Sequence, residues 1–130
     1  MLWKSTDYTG WGRVLSASGD VARPERQSAL TAILDEALAP AIGMRRSYGD
    51  AALNGGGRAI DMTRLDRMLD FDPATGILNV EAGARIGEIA AAFGPKGWLP
   101  AVMPGTGFAT VGGCIGQDVH GKNHHHVGSF

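Results

Sequence analysis

Two glycine-punctuated stretches carry the residue types that could do chemistry: "GMRRSYGDAALN" from Gly43 to Asn54, and "PGTGFATVGGCIGQDVH" from Pro104 to His120. A backbone that must approach an anion closely cannot have Cβ atoms in the way, and its own N–H groups supply the donors. The first stretch sets Arg46, Ser47 and Tyr48 between Gly43 and Gly49, offering a cation, a hydroxyl and a phenol. The second carries Gly105, Thr106, Gly107, Thr110, Gly112, Gly113 and Gly116, and its "TVGG" is placed to open a helix whose first amides face an anion. Neither stretch is a G-x-x-x-x-G-K-[ST] loop or a G-x-G-x-x-G between strand and helix, so the P-loop and dinucleotide-fold readings fail. An isolated glycine loop is as readily an ordinary turn. Two such loops with polar donors tilt the reading toward a bound anion.

The elements that must position these loops can be read around them. "PERQSALTAILDEAL" from Pro24 to Leu38 sets Ala29, Leu30, Ile33, Leu34, Ala37 and Leu38 on one face, with Pro24 and Glu25 at the helix start and Pro40 as its stop. "AIGM" is a short strand that delivers the chain into the first loop, and "RAIDM" is a short buried strand after it. "MLDFDPATGILNVEA" reads as a hairpin turning on Asp-Pro-Ala-Thr-Gly. In "ARIGEIAAAFGPKG", Ile86, Ile89, Ala90 and Phe93 recur at helical spacing up to Gly94 and Pro95. Helix, strands, hairpin and helix in this order predict an α+β layer rather than regular βαβα winding.

Composition narrows the partner. The 130 residues, 44% of them hydrophobic, suffice for one domain with a core. Twelve basic and 13 acidic residues give a net charge of -1, which argues against a nucleic-acid surface or a polybasic anchor and for a small-molecule ligand. The N-terminal "MLWKSTDYTGWGR" is too polar for a signal peptide, and no apolar run approaches the ~20 residues of a spanning helix. With Cys114 the only cysteine, the chain reads as soluble and cytoplasmic. It stops inside a glycine- and histidine-rich segment, "HHHVGSF", which is expected of a truncated chain.

His120, His124, His125 and His126 invite a metal, but the segment lacks the acidic partner of H-E-x-x-H, Lys122 sets a cation among them, and neighbours on an extended segment point apart. No metal is expected, and His124 to His126 read as solvated or hydrogen-bonded loop residues. Trp11 and Trp98, beside glycine turns, are expected as packing anchors rather than stacking platforms. Asp50 is expected to hold its loop together, and Asp61 and Glu81 have no spacing that argues for an acid/base pair.

"GWGR", "GMRRSYGDAALNGGGRAIDMTRLDRML" and "MPGTGFATVGGCIGQDVHGKNHHHVGSF" resemble the FAD-binding region of the PCMH-type, vanillyl-alcohol-oxidase superfamily of flavoproteins, and within it the decaprenylphosphoryl-β-D-ribose 2′-oxidases. The resemblance runs from about Gly10 to the last residue. It implies a two-subdomain FAD-binding domain over residues 1–130, the first subdomain complete and the second begun, with the substrate domain absent. The first loop, Ala41, Ile42, Gly43, Met44, Arg45, Arg46, Ser47, Tyr48, Gly49, Asp50 and Ala51, would cradle the FAD pyrophosphate. Gly105, Thr110, Val111, Gly112, Gly113, Gln117, Asp118, Val119 and His120 would pass along the rest of the cofactor, with His120 near the flavin and Lys122 near the substrate channel. This chain departs from the family pattern at Arg45, where a second glycine is usual, at Cys114, where alanine is usual, and at Gln117, where a small residue or cysteine is common.

Relatives that attach FAD covalently use a histidine just before the serine of the first loop. Arg46 stands there, and a guanidinium is protonated near neutral pH and is no nucleophile, so the flavin is expected to be non-covalent. The reaction implied is oxidation of a sugar alcohol carbon by hydride transfer to flavin, on a polyprenyl-phosphate sugar near a membrane or in the periplasm. An aldonolactone or alditol oxidase, and a non-catalytic flavin-binding module, are the alternatives. The segment alone is expected to be inactive, and the partner subunit is unknown from the sequence.

Overall fold

Strand β1 (Trp3–Thr9) and strand β2 (Ser16–Ala22) pair antiparallel along their whole length, from Trp3 opposite Ala22 to Thr9 opposite Ser16. Alternation decides what they bury: Trp3 and Ala22 point to one face, Tyr8 and Ala17 to the other, and all four are buried. This hairpin lies outside what the sequence predicted. The computed structural model describes residues 2–130, and the chain divides into one unit ending at Leu65 and a second from Asp66 to Phe130.

In the first unit a four-stranded mixed sheet runs β1-β2-β4-β3, with β3 (Ala41–Ile42) and β2 both parallel to β4 (Arg58–Asp61) between them. Helix α1 (Gln27–Glu36) connects β2 to β3 and lays Ile33 on Trp3, Ala22 and Ile60, with Leu30, Ala37, Ala39 and Met62 around them. The helix is shorter than predicted at both ends. Arg26 rather than Pro24 is the N-cap, and Ala37 already has extended geometry, so the chain is leaving the helix before Pro40. Leu38, expected on the buried face, lies beyond the helix end and is exposed, and Leu34, within the helix, is exposed as well. On the opposite face Tyr8, Ala17, Ile42 and Ala59 are covered by Ala52 and Leu53, near the end of the first glycine stretch.

In the second unit the predicted hairpin forms between β5 (Met68–Asp72) and β6 (Ile77–Val80). Its turn is held by Asp72, whose carboxylate accepts from the Ala74 amide at 2.8 Å and from Thr75 Oγ1 at 2.7 Å, contacts that hold it below the usual carboxylate range, the Thr75 hydroxyl foremost. Gly76 closes the turn at φ 75°, where a Cβ would lie 2.3 Å from the Trp98 ring. Helix α2 (Ile86–Phe93) buries Ile89 and Phe93 against this hairpin, with Phe71 and Phe93 ring centroids 4.5 Å apart and Trp98 edge-on to Phe71 at 5.8 Å. Trp98 is thus the packing anchor expected of it. Two short helices follow, α3 (Val111–Gly116) and α4 (His124–Val127). No helix among the described residues is long and apolar enough to cross a membrane.

Candidate functional site

The first glycine loop leaves the sheet at the end of β3, as predicted. Its far side is pinned by Tyr8, whose buried hydroxyl accepts from the Asn54 amide at 3.0 Å, while Asn54 Nδ2 donates to the Arg58 carbonyl at 2.8 Å. Between these anchors, the amides of Met44, Arg45, Ser47, Tyr48, Gly49 and Asp50 donate to no other described residue. A run of donors without an internal acceptor has to be satisfied by water or by a ligand. Gly49 has φ 59° and open space around its missing Cβ, and Tyr48 is 91% exposed at the loop tip. Arg45, at the family's second glycine, has φ 53°. The conformation is the one a glycine would adopt, so the departure is in the side chain and not in the backbone path.

Arg46 Nη1 donates to the Met44 carbonyl at 2.6 Å, and its guanidinium lies 4.3 Å from the centre of the Trp11 ring. Trp11 is 53% exposed. That corrects its expected role as a packing anchor: it faces a cation rather than the core. The turn that carries it is closed by Arg13 N donating to the Gly10 carbonyl at 3.2 Å, and Gly10 sits against the loop, where a Cβ would come 2.7 Å from the Gly49 carbonyl oxygen. The Asp50 side chain enters no hydrogen bond or ion pair with another described residue, so it does not hold the loop as expected. The Asp50 backbone does: its carbonyl accepts from Leu53 N at 2.8 Å.

The second glycine segment lies in the second unit and is built differently. "TVGG" does open a helix, but its amides do not await an anion. Val111 N donates to the Ala84 carbonyl at 2.9 Å, Gly112 N to the Ala82 carbonyl at 2.8 Å, and Gly113 N to the Thr110 side chain at 3.2 Å. Thr110, 3% exposed, is the N-cap. A Cβ on Gly112 would lie 3.0 Å from that of Ala82, so this glycine is required by backbone packing. Gly105, by contrast, has nothing within 4 Å of its missing Cβ. Gln117, Asp118 and Val119 fold back on α3 with their amides donating to Gly113, Ile115 and Cys114, and Asp118 takes φ 49°. Cys114 beneath them is fully buried, and that burial raises its thiol pKa. The site residues thus fall into two groups, Ala41 to Ala51 in the first unit and Gly105 to His120 in the second.

His124, His125 and His126 lie in α4 rather than on extended chain, because Asn123 begins a turn whose carbonyl accepts from the His126 amide at 2.9 Å. His124 Nδ1 lies 3.0 Å from the Gly121 carbonyl, and its ring is 5.0 Å from that of His120 and 4.0 Å from that of His125. No group of three or more potential ligands is placed to hold a metal among the described residues. His120 pairs with Ser129 in an antiparallel bridge, and Lys122 is exposed.

The carboxylates without assigned chemistry have structural partners. Asp61 accepts from the Thr63 amide and hydroxyl and meets Arg23 at 3.3 Å. Glu81 is held below the usual carboxylate range, chiefly by hydrogen bonds from Arg67 at 2.6 and 3.0 Å. Glu88 is lowered likewise by Arg85. A cavity of about 330 Å³ in the second unit, lined by Phe71, Leu78, Ile89, Trp98 and Phe130 among others, is apolar and touches only Val111 of the expected site residues. It has none of the convergent polar groups that orient a cofactor.

A mixed sheet with a glycine loop leaving its β3 edge, followed by a hairpin-and-helix unit, defines a flavin-binding domain of the PCMH type. The chain belongs to the FAD binding domain family, whose family model matches residues 20–130, and FAD is the cofactor that this membership assigns to it. It is 41% identical over 128 residues to decaprenylphosphoryl-beta-D-ribose oxidase from Mycolicibacterium smegmatis, a match covering 93% of this chain and 28% of the relative. It is 33% identical over 95 residues to L-gulono-1,4-lactone dehydrogenase from Mycobacterium tuberculosis, covering 68% of this chain and 21% of that one. Among solved structures, cholesterol oxidase from Brevibacterium sterolicum superposes with a TM-score of 0.76 at 17% identity, over 92% of this chain and 25% of that chain. Alkyldihydroxyacetonephosphate synthase gives the same TM-score at 17% identity, over 91% of this chain and 24% of that chain. The chain spans between a fifth and three-tenths of the length of these curated relatives.

Proposed function

We propose that this chain is the FAD-binding portion of an FAD-dependent oxidoreductase that oxidises an alcohol carbon of a sugar, with a polyprenyl-phosphate sugar as the substrate class. The observation that carries the reading is the set of unengaged amides of Met44, Arg45, Ser47, Tyr48, Gly49 and Asp50, with the Arg46 guanidinium in the same loop. Open N–H groups beside a cation suit a diphosphate. Ala41 to Ala51 hold the pyrophosphate, and Gly105, Thr110 to Gly113 and Gln117 to His120 line the remainder of the cofactor. Because the α3 amides are engaged within the fold, this second group contributes contact surface rather than hydrogen bonds to phosphate. Bound FAD supplies a hydride acceptor, and the chain's task is to bind and orient it. The 41% identity to the ribose oxidase over 93% of this chain favours that substrate class. The lactone dehydrogenase likeness, at 33% over 68% of the chain, keeps an aldonolactone as the second reading.

Arg46 before Ser47 makes the flavin dissociable. The test is to incubate the purified chain with FAD, remove free ligand by gel filtration, and record flavin absorbance before and after acid precipitation. Flavin that co-elutes and then appears in the acid supernatant is expected. A colourless protein would overturn FAD binding by this chain, and yellow retained in the pellet would overturn non-covalent attachment.

A further inference from the structure

We infer that Trp11 is a positioning residue: its ring holds the Arg46 guanidinium where the phosphates of the bound dinucleotide need it. The inference rests on the reading of the first loop given above. Trp11 is 53% exposed, so burial does not account for a large aromatic in the Gly10–Arg13 turn. Its ring meets a cation instead, 4.3 Å from the Arg46 guanidinium carbon. That cation is also tied by Nη1 to the Met44 carbonyl at 2.6 Å. A ring face and a carbonyl together fix the plane of a side chain that otherwise has large rotamer freedom.

The turn is seated on the loop it serves. A Cβ on Gly10 would come 2.7 Å from the Gly49 carbonyl oxygen, and the turn is closed at both ends by Gly10 N to the Leu15 carbonyl and Arg13 N to the Gly10 carbonyl, each at 3.2 Å. The Trp11 platform is therefore carried by backbone contact with the same loop whose amides stand open. The guanidinium so held is planar and permanently charged, the chemistry that recognises phosphate oxygens.

The inference separates from a simpler role, stacking of Trp11 on the flavin ring, because it concerns the diphosphate and so applies to ADP as well as to FAD. Titrating the chain with each ligand, Trp11→Leu is expected to weaken both by the same factor, about two- to fivefold. Trp11→Phe, which restores a π face, is expected to recover most of that loss. In an Arg46→Gln background Trp11→Leu is expected to add nothing further, the mark of two residues acting as one. Weakening of FAD alone, equal effects of Leu and Phe, or an undiminished effect in the Arg46→Gln background would each overturn the role. If Trp11→Leu does not fold, Trp11→Met, which also removes the π face, takes its place in both Arg46 backgrounds. If the parent chain binds neither FAD nor ADP, the site reading itself falls, and the role of Trp11 with it; if the parent binds and the Trp11 variants match it, only the latter falls.

Discussion

Gly87 and Gly107 meet backbone to backbone: Gly87 N donates to the Gly107 carbonyl at 2.9 Å, and a Cβ on Gly87 would lie 3.0 Å from the Gly107 Cα. With Ile86 N donating to Ala109 and Val111 N to Ala84, both at 2.9 Å, this contact zips the second glycine segment to the entry of α2. Some glycines of that segment are thus required by the fold, while Gly105 has open space where a Cβ would stand.

That division predicts opposite behaviour at two positions. Gly87→Ala should lower stability by about 1–3 kcal/mol, because the Gly107 backbone has to give way. Gly105→Ala should leave the melting temperature where it is, since nothing lies within 4 Å of the new methyl, and, on the proposed site, weaken FAD binding. Thermal melts and flavin titrations of the two variants check the pair.

Thr110 makes a second prediction. Its Oγ1 accepts from the Gly113 amide at 3.2 Å and is buried, so Thr110→Val should cost about 1–2 kcal/mol, and Thr110→Ser should keep most of the cap. Denaturant unfolding of both variants measures the difference.

Arg45 makes a third. At φ 53° an arginine pays about 1 kcal/mol relative to glycine, while glycine loosens the unfolded chain by a similar amount. Arg45→Gly should therefore change stability by less than about 1 kcal/mol. Its effect should appear in binding, as a weaker affinity for FAD and a shallower dependence on salt, because a cation beside the phosphates has been removed. Titrations at two ionic strengths test this, and an unchanged salt slope would place the Arg45 side chain away from the ligand.

Glu81 gives a pH dependence. Hydrogen bonds from Arg67 lower its folded pKa, so the pair stabilises the fold at pH values above the ordinary glutamate range and that contribution is lost as pH falls through the lowered value. Glu81→Gln should melt earlier than the parent at neutral pH, with the gap closing on acidification. Parallel melts across the acid range follow it.

How much of this was legible follows from how each element is stabilised. The β5–β6 hairpin was readable because Asp72 to Gly76 carries its turn chemistry locally, and α2 because Ile86, Ile89 and Phe93 mark one face. The β1–β2 hairpin was not, since "WKSTDYT" and "SASGDVA" bury only Trp3, Tyr8, Ala17 and Ala22, and two alanines give no hydrophobic pattern until paired with their partners across the strands. In the site, the glycine loops were legible as loops. Their difference was not, because whether an amide at Gly112 is open or engaged depends on Ala82, thirty residues upstream in the chain and adjacent only in the fold.

The burial of Cys114 has a practical side. As the only cysteine, fully enclosed and with its thiol pushed toward the unreactive protonated form, it leaves the native surface silent to maleimide and disulfide reagents. A cysteine introduced at Tyr48, 91% exposed at the tip of the first loop, would then be the single handle for a fluorophore. Occupancy of the loop could be followed optically without removing any native residue of the core.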